Sequence, residues 1–324
     1  MNLIFSALGA LAFVLGTATA WAQSFPAPGR TVRVIIGFPP GGGTDIQARL
    51  VAPKFSEALG VPVVVENKPG ASTMLAAADV ARSAPDGYTI LYTFSGAFAQ
   101  NPHTFAKIPY DPFKDFTPIS QGARGPLLLV AHPSLPANNV RELIAYAKAN
   151  PGLLNYASFG SGTSAHINGE MLRLQAGINI VHVPYKGGAD AMKDLMTGRV
   201  HIMFDTAATG IAYAKSGKLK ILGVVAESRV PMLPDVPTIT EQGVPGIDIL
   251  GWLGFFGPAN MPADVVRTLN AALVKALGSP EVREAFLKGG YEAISSTPAG
   301  LAAVVKDSYD RWGKVVKQIG LKVE

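Results

Sequence analysis

Apolar positions along this chain of 324 residues come in two rhythms. Short aliphatic runs at 30–37, 60–65 and 88–93 have strand length and β-branched content. Between them the spacing turns helical. Ile46, Leu50, Phe55 and Leu59 mark a helix opened by Thr44 or Asp45 and stopped at Gly60, with Pro53 expected to kink or shorten it. A second helix runs through Leu75, Ala78 and Val80 to the turn Pro85-Asp86-Gly87. This β-α-β-α-β order predicts a parallel sheet with right-handed crossovers. Residues 101–118 read as an irregular connection. Strands are then expected at 127–131, 180–184, 200–204 (ending at Asp205) and 219–225, with helices at 140–149 and 189–197. That is a second α/β unit. A proline-rich segment at 230–247, a strand at 252–257 and helices at 264–277, 280–288 and 298–319 follow; they hold too few strands for a third domain and are expected to complete the first.

Two stretches share one grammar. In the first, the strand ending at Ile36 runs into Phe38-Pro39-Pro40-Gly41-Gly42-Gly43-Thr44-Asp45. In the second, a short strand runs into Gly160-Ser161-Gly162-Thr163-Ser164, and a helix follows through Ile167, Met171, Leu172 and Leu174. Strand, glycine turn and helix start together place bare backbone N–H groups at one point, where the helix dipole adds about half a positive charge. Each is a ready anion site. Neither matches a nucleotide motif. Two such starts in one chain predict two lobes gripping one anion.

Composition narrows the function. Charged residues are only 16% and apolar residues 48%, so the chain is globular and well buried. The net charge of +5 is dispersed without a Lys or Arg block, which argues against nucleic acid and suits an anionic ligand. With no cysteine, thiolate catalysis, disulfides, thiolate metal sites and a lipoprotein anchor are excluded. Residues 3–20 form an apolar run ending in Ala20-Trp21-Ala22, which predicts a signal peptide cleaved near Ala22 and a periplasmic mature chain; it lacks the usual basic start. There is no G-x-S-x-G elbow, and His103, His132, His166, His182 and His201 form no H-E-x-x-H or i,i+4 pair. No catalytic residue, metal or cofactor is expected.

The ordered pieces Pro40 to Asp45, Ala48-Arg49, Glu66-Asn67, Gly70-Ala71, Pro85 to Thr89, Gly160 to His166, Val183 to Gly187 and Leu233 to Thr238 with Glu241 and Gly243 span nearly the whole chain. Together the set resembles the Bug family, the extracytoplasmic solute receptors of tripartite tricarboxylate transporters. The resemblance implies a type II periplasmic-binding-protein fold, two α/β lobes joined by crossover hinge segments. Lobe 1 is expected at 23–124 and 226–324, and lobe 2 at 125–225. It also implies a small organic acid held through backbone groups by the two glycine loops, transporter subunits in the membrane as partners, and a monomer. A ligand-sensing partner of a membrane kinase on the same fold, and more remotely a secreted enzyme, stand as alternatives.

The expected ligand-binding residues on the glycine loops are Phe38, Pro40, Gly41, Gly42, Thr44, Ser161, Gly162, Thr163 and Ser164. Asn67, Ala71, Ser72 and Ser95 come from the neighbouring loops of the first lobe, and Tyr185 from the second. Many members of the family carry small residues, often glycine, where this chain has Ser72, Thr73 and Met74, so the hydroxyls there are contact candidates. Asp45 either caps its helix or accepts from the ligand. His166 either contacts the ligand or bonds a neighbouring carbonyl. Asp205 ends a strand at the sheet edge where open α/β sheets bind ligands, and either caps or contacts. Lys186 either pairs with a carboxylate or, as expected, stays in solvent.

Overall fold

A computed structural model describes residues 25–323; the leader, and with it the expected cleavage, lies outside them. The first unit runs β1 (Val32–Ile36), α1 (Gly43–Leu59), β2 (Val63–Asn67), α2 (Met74–Ala81) and β3 (Thr89–Phe94). β1 pairs in parallel with both β2 and β3. Alternation buries both faces of this sheet. Val34, Ile36, Ile90 and Tyr92 enter one core and Ile35 and Leu91 the other. Each such side chain contributes about 1.5–3 kcal/mol.

Helix α1 starts at Gly43, with Gly42 at the cap position, and ends at Gly60 in the left-handed conformation. It passes through Pro53 unbroken. Pro53 is exposed, so the carbonyl its ring leaves unbonded faces the solvent side.

After a wide turn at Gly96–Gln100 and the short α3 (Asn101–Thr104) comes β4 (Phe116–Gly125). The sequence pattern hid this ten-residue strand because Pro118, Gly122 and Gly125 interrupt it. Packing explains both glycines: a Cβ at Gly122 would sit 2.6 Å from the Tyr92 ring, and one at Gly125 would sit 2.6 Å from the Tyr291 ring.

Only Pro126 separates β4 from β5 (Leu127–Ala131), the first strand of the second unit. There follow α4 (Val140–Ala149), β6 (Leu154–Ser158), α5 (Ser164–Ala176), β7 (Ile180–Pro184), α6 (Gly188–Met196), β8 (Ile202–Thr206), α7 (Ala207–Lys215) and β9 (Lys220–Val225). The sheet order is β7-β6-β8-β5-β9. β6, β7 and β8 are parallel, and β5 runs antiparallel to its two neighbours. The chain rejoins the first sheet at β10 (Gly251–Pro258), then forms α8 (Ala263–Gly278), α9 (Pro280–Lys288), β11 (Glu292–Ala293) and α10 (Pro298–Ile319). β10 lies antiparallel between β3 and β4, giving the order β11-β4-β10-β3-β1-β2. Both sheets are therefore mixed, because each receives a strand arriving from the other unit.

The molecule is thus two α/β lobes joined by crossover segments, a periplasmic-binding-protein architecture. Between β9 and β10, Ile239, Val244 and Ile247 stay in the second core, where the Gln242 amide accepts from Val140 N (2.7 Å) and donates to Leu222 O (3.0 Å). Helix α10 braces both lobes: Leu301 and Val305 pack in the first, Trp312 and Val316 in the second.

Candidate functional site

The two glycine loops are built alike. In each, a glycine at positive φ turns the strand toward the helix: Gly41 (φ 83) before α1, and Gly162 (φ 78) before α5. In each, that glycine's N–H donates to the side chain four residues on, in the first helical turn. Gly41 N meets Asp45 Oδ2 at 2.9 Å, and Gly162 N meets His166 Nδ1 at 3.0 Å. Asp45 also accepts from Arg49 Nε (2.9 Å) and Asn67 Nδ2 (3.0 Å), while Asn67 Nδ2 reaches Phe38 O (3.0 Å). Behind the second loop the His166 and His182 rings stack at 3.7 Å, and His182 Nε2 lies 2.7 Å from Ser158 Oγ. Burial holds His166 down at about 4, so its Nδ1 stays an acceptor at neutral pH. His182 is held at about 3, by burial first and then by His166.

Between the lobes lies a cavity of ≈ 160 Å³, below the roughly 300–1,000 Å³ of sites for drug-sized molecules, so its occupant is small. Three glycine-led helix starts open on it. Gly42, Gly43 and Thr44 bring α1, Ser164 brings α5, and Gly188 and Ala189 bring α6. No side chain caps any of the three, so their first-turn N–H groups are free to donate. No Arg, Lys or His is among the lining residues.

The cavity wall otherwise includes Phe38 and Phe94, whose rings sit 5.2 Å apart, with Phe159, Met192, Tyr213, Trp252 and Tyr291. Asp205 is the one carboxyl lining it; fully buried, it is pushed up to about 7, against the lowering effect of the Thr209 hydroxyl and the Thr206 N–H.

A second cavity, ≈ 330 Å³, shares Phe38 and Phe159 and is lined by Gly70–Thr73, Gly160, Ser161 and Tyr185, with Lys186 as its basic residue. Across it the lobes touch: Ser72 Oγ donates to Ser161 O at 2.7 Å. Ala71, Ser72 and Thr73 all have positive φ (45, 50 and 71). That is a strained turn for residues with a Cβ, where glycine would be unstrained. Thr73 is buried and its hydroxyl has no partner among the described residues.

Of the residues expected from sequence, Phe38, Gly41, Gly42, Thr44, Ser95, Ser164 and Asp205 line the first cavity. Phe38, Ala71, Ser72, Ser161 and Tyr185 line the second. The Tyr185 hydroxyl turns away to Asp194 Oδ2 (2.8 Å). Six residues line neither. Pro40 is exposed. Asp45, Asn67, Gly162 and His166 brace the loops from behind. Thr163 is fully buried and donates to Gly160 O at 2.7 Å.

The profile of the family described as "Tripartite tricarboxylate transporter family receptor" matches residues 47–321. The chain belongs to that family. A UPF0065 protein of Bordetella pertussis is 37% identical over 317 residues, which cover 97% of each chain. The solved periplasmic binding protein BugD is 36% identical and superposes with a TM-score of 0.87 over 91% of this chain and 100% of its own. An R. palustris protein solved with adipate is 35% identical, with a TM-score of 0.88 over 91% of this chain and 99% of its own. This tripartite tricarboxylate receptor is therefore a solute-binding protein of the Bug type.

Much of the receptor's cavity wall lies outside the residues expected from sequence. Phe94, Phe159 and Thr206 each adjoin a named residue at a strand's C-terminal end, and the edge rule could have found them. Gly188 and Ala189 open a helix after the Gly187-Gly188 pair, a third copy of the glycine-start signal. Leu127, Tyr213, Trp252 and Tyr291 carry no local signal. They arrive from the crossover, from α7 and from the turn after α9.

Proposed function

We propose that this receptor captures a small organic carboxylate in the periplasm and presents it, unchanged, to the membrane subunits of a tripartite tricarboxylate-type transporter. The observation that carries this is the convergence of three uncapped helix starts on one cavity without a lining cation. Helix-end N–H groups suit a carboxylate, and hydrogen bonds to a charged group contribute about 1.5–3 kcal/mol each. The adipate held by the R. palustris neighbour supports the class.

In this reading Gly42, Thr44, Ser95 and Ser164 contact the ligand, while Asp45, Asn67 and His166 hold the loops in place. Residues 23–124 with the chain from β10 onward close as one lobe on 125–225; the segment between β9 and β10, expected from 226 on in the first lobe, packs on the second core and moves with it. The mature monomer starts near Gln23, after Ala22.

A thermal-shift screen of organic acids, followed by calorimetry, tests the reading. An acid at 100 times its Kd stabilises by about 2.7 kcal/mol. If no organic acid shifts the melt at millimolar concentration, the reading fails. N-terminal sequencing of the periplasmic protein tests the leader, and Met1 found intact in membranes would reject it.

A further inference from the structure

We infer that the cavity selects a monocarboxylate whose far end is uncharged and donates a hydrogen bond to Asp205. This rests on the reading of the first cavity as the ligand site. Four helix starts reach that cavity, and the fourth differs from the other three. Helix α7 begins after Thr206, and a carboxyl of the protein's own, that of Asp205, stands at its start. Asp205 Oδ2 accepts from the Thr209 hydroxyl, and the Thr206 N–H bonds the same carboxyl. A second ligand carboxylate arriving at this helix start would therefore meet the protein's own buried carboxyl.

Nothing offsets a second negative charge there. Asp205 is 2% exposed, and among the described residues neither Arg, Lys nor His lines the cavity. The titratable groups that share this wall with Asp205 are the Tyr213 and Tyr291 phenols, and no charged side chain perturbs its carboxyl. Two carboxylates in a dry site repel strongly unless a proton sits between them. A hydroxyl or amide instead gives the ionised Asp205 a further donor without adding charge. The surrounding Leu127, Met192, Trp252 and Leu253 suit an apolar body between the two ends. This separates the chain from the adipate-bound neighbour, whose ligand carries a carboxylate at each end.

The test is calorimetry at pH 8.5, where Asp205 is ionised, on three matched pairs: succinate, adipate and terephthalate, each against its own monoamide. Each pair keeps its size and changes only the far-end charge. The monoamide is expected to bind at least tenfold tighter than its dicarboxylate in wild type. Asp205→Asn keeps an acceptor and removes the charge, and should bring the two within about threefold by tightening the dicarboxylate. A wild-type preference for the dicarboxylates, or an unchanged ratio in a folded Asp205→Asn protein, overturns the inference while leaving carboxylate capture intact. Binding of none of the six compounds overturns the inference, while carboxylate capture stands or falls with the wider acid screen. The wild-type ratios decide the matter even if the variant fails to fold, which its melting curve would reveal.

Discussion

Gly187→Ala should block lobe closure without disturbing either lobe. Gly187 precedes α6 with φ 168 and ψ 175, an extended backbone that alanine adopts freely. Its α-hydrogen faces the other lobe. A Cβ there would lie 2.8 Å from Pro39 Cδ and 3.2 Å from Pro39 Cγ. Carbon atoms rest at about 3.5–4.0 Å, so the surfaces must part by roughly 1 Å. A proline ring cannot swing aside as a lysine would. Overpacking of this kind costs about 1–3 kcal/mol. With the lobes apart the contact does not exist, so the whole cost falls on the closed arrangement. Ligand affinity should drop about 5–150-fold. Calorimetry with the best acid from the screen measures that drop, and the melting temperature without ligand should stay within about 1 °C of wild type. Pro39→Ala added to Gly187→Ala removes Cγ and Cδ and should restore most of the affinity, in a double-mutant cycle. Affinity within twofold of wild type, or an equally large loss of ligand-free stability, would refute the reasoning.

Ser72→Ala removes the bond across the cleft to Ser161 O. At about 0.5–1.5 kcal/mol for such a bond, affinity should fall about 2–10-fold with little change in the ligand-free melt; a melt that drops instead would place the bond's role in folding. Stability should also fall in acid. Burial depresses His166 to about 4 and His182 to about 3, below the roughly 6.5 of an unfolded imidazole. A depressed folded value means the contribution is complete above pH 6.5 and is lost as pH falls from there through 4. For His166 it is about 3 kcal/mol. Urea melts between pH 7 and 4 should show this loss, shallower in His166→Asn; equal slopes for both proteins would contradict it.

The local chemistry of the two glycine loops was legible in the sequence because it is written in neighbouring residues. A β-branched strand, a glycine able to take positive φ and a helix start occur within about a dozen positions, so Phe38, Gly42, Thr44 and Ser164 could be placed on the cavity from pattern alone. The long helices α8, α9 and α10 were legible for the same reason: their apolar spacing repeats over whole turns. Pattern could not choose between two uses of one side chain. Asp45 and His166 sit where either the ligand or the loop could claim them, and each bonds the glycine four residues earlier. The choice depends on where Asn67, Arg49 and His182 arrive in space. β4 was hidden because its glycines answer to the rings of Tyr92, Phe255 and Tyr291, which belong to other strands and to a distant turn. The far wall of the cavity was beyond the sequence altogether. Tyr213, Trp252 and Tyr291 meet Asp205 only because β10 returns antiparallel beside β3 and α7 packs against β5. Contacts of that range are set by strand order and lobe apposition, which no local period encodes.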